Sequence, residues 1–234
     1  MSLYFRQLLS GRDFAIGDAL ATQMVNFAYA LGDRESGEAL LVDPAYAVDD
    51  LLGIVEGDGM RVVGVLVTHH HFDHVGGEVA GHHVQGIAEL LSRRSVPVHA
   101  HRAEVGRILA ATEMSAGDIV SHEGGDTVAV GAREVRLLHT PGHTQGSQCF
   151  LVDDLLISGD TLFLEGCGRM DLDDSDSRAM YASLRTLASL PDTTAVLPGH
   201  RYSSSATATM AAVREINVVY KPATEEAWLA AFAR

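Results

Sequence analysis

The chain has 234 residues, of which 47% are apolar and 21% are charged. These values are typical of a soluble globular protein and exclude a disordered chain or a collagen-like fibre, and two cysteines exclude a disulfide scaffold. Seventeen basic residues against thirty-one acidic ones give a net charge of −14, which repels phosphate backbones and disfavours nucleic acid as a partner.

Short apolar runs rich in Val, Leu and Ile recur along the chain and predict β-strands. These predicted strands cover residues 24–31, 39–42, 62–67, 96–99, 128–130, 135–138, 148–152, 155–157 and 195–197. Apolar residues at helical spacing predict helices over residues 48–55, 87–91, 180–190 and 225–232. Asp153 and Asp154 form a polar gap between two strands and predict a hairpin. Asp176 or Ser177 is placed to cap the third helix.

Strands and helices are interspersed, and no linker rich in proline, glycine or serine divides the chain. We therefore expect one α/β domain over residues 1–234, with sheets and helices packed in layers. Residues 76–85 predict a loop just after a cluster of histidines, and loops beside a site often cover it.

Neither an export signal nor a membrane span is predicted. The first 17 residues lack a basic segment followed by a long apolar one. No later stretch approaches the roughly 18 apolar residues that a membrane span requires. The two cysteines, Cys149 and Cys167, suit a reducing compartment. We therefore expect a cytoplasmic protein without a membrane partner, and the sequence leaves a homo-oligomer open.

The most unusual feature of the sequence is a histidine cluster directly after the predicted strand over residues 62–67. Four of the twelve histidines occupy six positions: His69, His70, His71 and His74. Side chains alternate along an extended segment, so His69 and His71 lie on one side and His70 on the other. A turn after Phe72 would direct Asp73 and His74 toward the same cavity.

Three further donors follow predicted strands in turns that contain glycine. They are His143 after Thr140–Gly142, Asp160 after Ser158–Gly159, and His200 after Pro198–Gly199. Glycine lets the backbone approach closely at such turns. The repeated order of strand, turn and donor is expected if the ends of strands that run in parallel line one edge of the fold.

A metal site explains this set of residues better than separate structural roles do. A lone histidine is more often a surface or hydrogen-bonded core residue, and that interpretation stays for the other seven histidines. Buried imidazoles and carboxylates, however, lose hydration and need partners, which a divalent cation supplies. The H-x-H-x-D-H spacing is also far more specific than a single H-x-x-H.

The segments THHHFDH, TPGHT, SGDTLF and PGH occur in the order seen in the metallo-β-lactamase superfamily, which the chain resembles from Thr68 to His200. The resemblance implies a four-layer αββα sandwich with the metal site at one edge. It implies one metal ion on His69, His71 and His143, a second on Asp73, His74 and His200, and Asp160 as the bridge. Mixed nitrogen and oxygen ligation suits two divalent ions, zinc first, with iron or manganese as alternatives.

The stretch after Asp160 resembles the glyoxalase II and persulfide dioxygenase branches, which both act on low-molecular-weight thiol derivatives. The first of these implies a metallo-hydrolase that cleaves a thioester with a metal-bound hydroxide, which Asp73 orients and whose proton Asp73 accepts as it attacks. The resemblance also implies that Arg169 and Tyr202 bind the thiol carrier. A salt bridge between Arg169 and the acidic residues 171–176 is an equal alternative for that arginine.

Three other functions stay open at this point. Thirty-four residues follow His200 and hold few basic side chains, so glutathione is one of several candidate thiol carriers. The short tail and Arg169–Asp171 favour a persulfide dioxygenase as the main alternative, with a single iron on His69, His143 and Asp160. A phosphodiesterase is disfavoured by the net charge of −14. A noncatalytic metal-binding module is the alternative that is not an enzyme.

Overall fold

The structure is a computed structural model that describes residues 2–233. The described residues divide into two compact units. Unit 1 comprises the chain up to His122 together with Thr127–Val135, and unit 2 comprises Glu123–Asp126 and the chain from Arg136 onward. The expectation of a single domain stays a prediction.

Unit 1 contains a mixed β-sheet, a small hairpin and five helices. Its strands are β1 Leu3–Leu9, β2 Phe27–Asp33, β3 Glu38–Val42, β4 Arg61–Leu66, β5 Gly77–Val79, β6 His82–Val84, β7 Val98–His101, β8 Ile119–His122 and β9 Thr127–Val130. Its helices are α1 Ala19–Met24, α2 Val48–Gly57, α3 Phe72–Val75, α4 Ile87–Arg93 and α5 Val105–Ala111.

The sheet of unit 1 has the order β1-β2-β3-β4-β7-β8. Strand β2 pairs antiparallel with both β1 and β3, whereas β3, β4, β7 and β8 run parallel to one another. Helix α2 connects β3 to β4, and its buried Leu51 and Val55 belong to the same core as Leu41 and Val65 of these strands. The parallel strands therefore end at a common edge of the sheet.

Strand β10, Arg133–His139, begins in unit 1 and continues into unit 2. The remaining strands of unit 2 are β11 Gln148–Val152, β12 Leu155–Gly159, β13 Ala195–Pro198 and β14 Ala208–Thr209. Strand β11 lies antiparallel between β10 and β12, and β13 pairs parallel with β12. Strands β10, β12 and β13 consequently run in the same direction, and their carboxyl ends lie at one edge.

Three helices cover the sheet of unit 2: α6 Ser177–Leu187, α7 Met210–Ile216 and α8 Glu225–Phe232. Asp176 caps α6 by accepting hydrogen bonds from the backbone NH groups of Arg178 and Ala179 at 2.8 and 2.9 Å. Met180 and Leu184 on its buried face share a core with Trp228 of α8. The amphipathic spacing and the cap residue were sufficient to predict this helix.

Some local predictions are confirmed and others are wrong. Val152 pairs with Leu155, which confirms the hairpin at Asp153 and Asp154. Residues 76–85 form the hairpin β5–β6 instead of a loop, because Ala80 and Gly81 adopt positive φ angles of 49° and 78° that close a two-residue turn.

The predicted strand over residues 24–31 begins later, at Phe27, because α1 extends to Met24 and Val25 ends it with φ of 50°. Strand β1 has no predicted counterpart, since Arg6 and Gln7 interrupt its apolar run. Among residues 2–233, no helix is long and apolar enough to cross a membrane.

Candidate metal centre

The histidine cluster of unit 1 lies at the carboxyl end of the central strand β4. This strand ends at Leu66, and the chain then passes through Thr68 into the short helix α3, which contains Asp73 and His74. Strand β3 is parallel to β4 and ends beside it, so Asp43 reaches the same edge of the sheet.

The four predicted ligands of unit 1 lie close together. The rings of His69 and His71 meet edge to face with centroids 4.6 Å apart, and the centroids of His69 and His74 are 4.2 Å apart. His74 Nε2 lies 3.6 Å from Asp73 Oδ2. His69, Asp73 and His74 are buried, while His71 is partly exposed.

Asp43 and Thr68 orient two of these imidazoles. His74 Nδ1 lies 2.9 Å from Asp43 Oδ2, and the Thr68 hydroxyl donates to the same carboxylate at 2.6 Å. Since the hydroxyl proton goes to Asp43, Thr68 Oγ1 accepts from His69 Nδ1 at 3.0 Å. Both rings therefore hold their proton on Nδ1 and offer the lone pair of Nε2, as metal-binding histidines do.

His70 takes the structural role that the sequence assigned to it. Its backbone NH donates to Glu104 Oε2 at 2.8 Å, and its Nδ1 lies 2.6 Å from the same oxygen. Glu104 is almost completely buried. This pair fixes the backbone between His69 and His71, and the His70 ring meets the ring of His71 edge to face with centroids 4.9 Å apart.

The three predicted ligands of unit 2 follow the carboxyl ends of its three strands that share a direction. His143 comes after β10, Asp160 directly after β12, and His200 after β13. Asp160 Oδ2 lies 3.7 Å from His143 Nε2 and 3.3 Å from His200 Nε2. The sheet thus brings together three side chains that are separated by up to 57 residues.

The neighbours of these side chains fix their orientation. His143 Nδ1 donates to the backbone oxygen of Arg169 at 2.9 Å, which leaves the Nε2 lone pair directed at Asp160. The His200 ring stacks on Tyr202 with an interplanar angle of 5°. A Cβ atom on Gly168 would lie 2.1 Å from the backbone oxygen of Asp160, so only glycine allows this close approach.

The donor sets of both units fit a divalent transition metal ion. Zinc binds nitrogen and oxygen at about 2.0–2.1 Å, so neighbouring ligands of a tetrahedral site are about 3.3 Å apart. The ligand pairs within each unit, at 3.3, 3.6 and 3.7 Å, are close to this value. Neutral imidazole nitrogen combined with carboxylate oxygen suits zinc or iron.

Unit 2 contains a pocket of about 480 Å³, with His143 and Asp160 among its lining residues. Phe163, Cys167 and Tyr202 form apolar parts of its wall. Its size and mixed lining are those of a small-molecule site.

Arg169 lines the same pocket and forms a salt bridge to Asp171, with Nε–Oδ1 and Nη2–Oδ2 distances of 2.9 and 3.0 Å. The salt bridge proposed from the acidic run is therefore present. The side chain of Arg169 is nevertheless 70% exposed, so it remains accessible to a ligand.

The two cysteines are poor nucleophiles at neutral pH. Burial raises the pKa of the Cys149 thiol to about 11 and that of Cys167 to about 12. Because the thiolate is the reactive form, covalent catalysis by either residue is disfavoured.

The sequence profile of the metallo-β-lactamase superfamily matches residues 22–200, a range that includes every predicted metal ligand. The chain therefore belongs to this superfamily. It is 38% identical to the hydroxyacylglutathione hydrolase of Gloeobacter violaceus over 181 residues, which cover 76% of this chain and 64% of that protein. It is 29% identical to the probable polyketide biosynthesis zinc-dependent hydrolase BaeB of Bacillus velezensis over 198 residues, 84% and 82% of the two chains.

The crystal structure of ETHE1 from Myxococcus xanthus matches with a TM-score of 0.76 at 28% identity, covering 97% of this chain and 88% of that one. The matches confirm the predicted metallo-β-lactamase fold, a four-layer αββα sandwich, and the glyoxalase II and ETHE1-like branch. The chain spans only 64% of the length of the hydroxyacylglutathione hydrolase.

Sequence reasoning missed several residues that contact the predicted ligands. Asp43 could have been found, because it follows a strand as the other carboxylates do. Glu104 and Asn26, by contrast, contact the ligand segment from positions far away in the sequence, and no motif marks them.

Proposed function

We propose that the protein is a metal-dependent hydrolase of the glyoxalase II type, which cleaves a thioester of a low-molecular-weight thiol. The observation that supports it best is the pocket of unit 2, where two predicted metal ligands, His143 and Asp160, line a space for a small molecule. The relationship to a hydroxyacylglutathione hydrolase gives independent support.

The proposal includes a binuclear metal centre. Its ligands are His69, His71, Asp73, His74, His143, Asp160 and His200, with Asp160 as the bridge. The internal geometry of each unit and the superfamily membership support this assignment. Zinc is the preferred metal, and iron or manganese suits the same donors.

Two bound ions would supply Lewis acidity and lower the pKa of a water molecule from 15.7 to about 7. The chain itself would contribute a proton acceptor, the carboxylate of Asp73. Hydrogen bonds from Nδ1 keep His69, His74 and His143 in the tautomer that leaves Nε2 available.

Arg169 and Tyr202 are the proposed contacts for the thiol carrier, because both line the pocket. Tyr202 is 60% exposed, and its ring stacks on His200 and meets Phe163 edge to face. Arg169 would have to exchange Asp171 for a carboxylate of the carrier. An exposed ion pair contributes only about 0–1 kcal/mol, so this exchange costs little.

The experiment combines metal analysis of protein purified without added ions with an assay of thiol release from S-lactoylglutathione and an uncharged lactoyl thioester. We expect about two ions per chain and thioester hydrolysis. Asp160→Ala should lose both metal and turnover. The matched control is Asp154→Ala in the exposed β11–β12 turn, which removes a carboxylate six positions away and should keep both.

A persulfide dioxygenase is the second candidate, and the similarity to ETHE1 is the observation that favours it. It would use a single iron on His69, His143 and Asp160. One iron per chain, oxygen consumption with glutathione persulfide and no thioester turnover would replace the hydrolase proposal by this one. Asp73→Ala separates the two further: a two-ion hydrolase should lose its thioester turnover, whereas a dioxygenase should keep its single iron and its oxygen consumption.

A further inference from the structure

The side chain of a buried asparagine in unit 1 forms hydrogen bonds with both the backbone and the side chain of Asp73. Asn26 lies between α1 and β2 and is 4% exposed. Its Nδ2 donates to the backbone oxygen of Asp73 at 2.9 Å and to Asp73 Oδ2 at 3.1 Å. One amide group thus defines the position of the Asp73 carboxylate relative to its own backbone.

Tyr46 in turn holds this amide. Its hydroxyl donates to Asn26 Oδ1 at 3.2 Å, and its ring is 3% exposed. The two acceptor oxygens of Asp73 fix which end of the amide faces them, because a flipped amide would direct its own oxygen at the carboxylate, and the Tyr46 hydroxyl supplies the donor for Oδ1 at the other end. Tyr46, Asn26 and Asp73 therefore form a directed chain of hydrogen bonds.

The backbone is strained at Tyr46 and directly before Asn26. Val25, directly before Asn26, has φ of 50°, and Tyr46 has φ of 72°. Left-handed backbone is unfavourable for β-branched and bulky residues and costs about 1–3 kcal/mol per site. Such strain persists where the surrounding structure enforces it, and it is concentrated at functional sites.

The other asparagine of the chain shows what a purely structural contact looks like. Asn217 is also buried, and its Nδ2 donates to the backbone oxygens of Phe163 and Gly166 at 2.9 and 3.0 Å. It therefore ties backbone to backbone. Asn26 instead directs one donor to a carboxylate that lies 3.6 Å from His74 Nε2, beside the predicted ligands.

We propose that Asn26 and Tyr46 are positioning residues, which hold the carboxylate of Asp73 in the one orientation that binds the second metal ion beside His74. The proposal rests on the proposed function, since it takes Asp73 as a metal ligand. Neither residue touches the substrate, and both act through Asp73.

The test is the affinity of the second ion, measured by zinc titration against a competing chelator, together with kcat and KM for thioester hydrolysis. Asn26→Leu keeps the size of the side chain and removes both donors. We expect this variant to lower the affinity for the second ion by about 10–100-fold, as the loss of supporting contacts at metal sites does. Its kcat should fall in parallel while KM stays unchanged.

Tyr46→Phe removes one hydroxyl and should lower the affinity for the second ion less, by about 3–10-fold, because the hydrogen bonds from Asn26 to Asp73 remain. The matched control is Tyr4→Phe in the same unit. The Tyr4 side chain is fully buried and donates to Asp58 Oδ2 at 2.8 Å, away from all predicted ligands. This variant should retain the parental zinc affinity.

Parental zinc affinity and kcat in both Asn26→Leu and Tyr46→Phe would overturn the proposal. If Asn26→Leu does not fold, as thermal melting of the apoprotein would show, Tyr46→Phe compared with Tyr4→Phe decides alone. A parent that binds two ions but hydrolyses no thioester refutes the proposed function, while its zinc titration still tests the positioning role. A parent with no second ion refutes the positioning role itself.

Discussion

Replacing Gly168 by alanine should disturb the metal ligands of unit 2 more than its small size suggests. The added Cβ would lie 2.1 Å from the backbone oxygen of Asp160 and 2.9 Å from Cγ and Nδ1 of His143. Non-bonded carbon atoms in a protein interior normally lie about 3.5–4.0 Å apart, so the loop or the ligands must move by 1 Å or more.

The expected loss of stability has two parts. Inserting a methyl group into a filled space costs about 1–3 kcal/mol. A shift of the loop would also break the hydrogen bond from His143 Nδ1 to the backbone oxygen of Arg169, now 2.9 Å long, which contributes about 0.5–1.5 kcal/mol. We therefore expect Gly168→Ala to lower the free energy of unfolding by about 2–4 kcal/mol and metal affinity by at least about tenfold.

Urea unfolding of the metal-free protein and zinc competition titration measure these two effects separately. Gly166→Ala is the matched control, because a Cβ at that position of the same loop meets no atom within 4 Å. It should change neither stability nor zinc affinity appreciably. Equal values for the two variants would refute the view that Gly168 is required by close packing against the ligands.

Three further predictions test the pocket and the titrating groups. Asp171→Asn should lower the KM of an anionic thioester severalfold relative to an uncharged one, because Arg169 loses its competing carboxylate; an equal effect on both substrates would refute this. Ellman's reagent at pH 8 should label neither cysteine in the folded protein and both in denaturant, since burial raises their pKa to about 11 and 12. Burial and the neighbouring His122 lower the pKa of His99 to about 4. As the pH falls, His99 therefore binds a proton in the unfolded state before it does so in the folded state, and the free energy of unfolding should decrease from about pH 6.5 toward pH 4. Between pH 7.5 and pH 5, urea unfolding should show a decrease of about 1 kcal/mol in the free energy of unfolding, a value discounted for the partial exposure of His99. His99→Gln should make this decrease smaller.

The sequence was most informative where a strand ends in a ligand. Apolar runs before Thr68, Asp160 and His200 correspond to β4, β12 and β13. The length of such a run predicts the length of the buried strand, and the end of the strand places the next residues at the edge of the sheet. Short elements were not predictable in this way. The three-residue strands β5 and β6 are too short for a period of two to be recognised, and their turn depends on a positive φ at Ala80.

The supports of the ligands were less predictable than the ligands themselves. Asn26 and Tyr46 lie 47 and 27 positions before Asp73, and their roles depend on hydrogen bonds and backbone strain that only the folded chain creates. Glu104 similarly reaches His70 across 34 positions. Local patterns describe what a residue can bind, whereas the choice of its buried partner is made by packing.

The supports also bear on the choice between two metal ions and one. A mononuclear iron enzyme with ligands at His69, His143 and Asp160 would bind no metal ion through Asp73 or His74. Here both side chains are buried. His74 Nδ1 forms a hydrogen bond with Asp43, and the Asp73 carboxylate accepts one from Asn26. Burying and orienting a carboxylate beside an imidazole is costly unless a cation compensates. The arrangement is the one expected of the proposed two-ion hydrolase, and a metal content of one ion per chain that zinc titration cannot raise would refute that proposal.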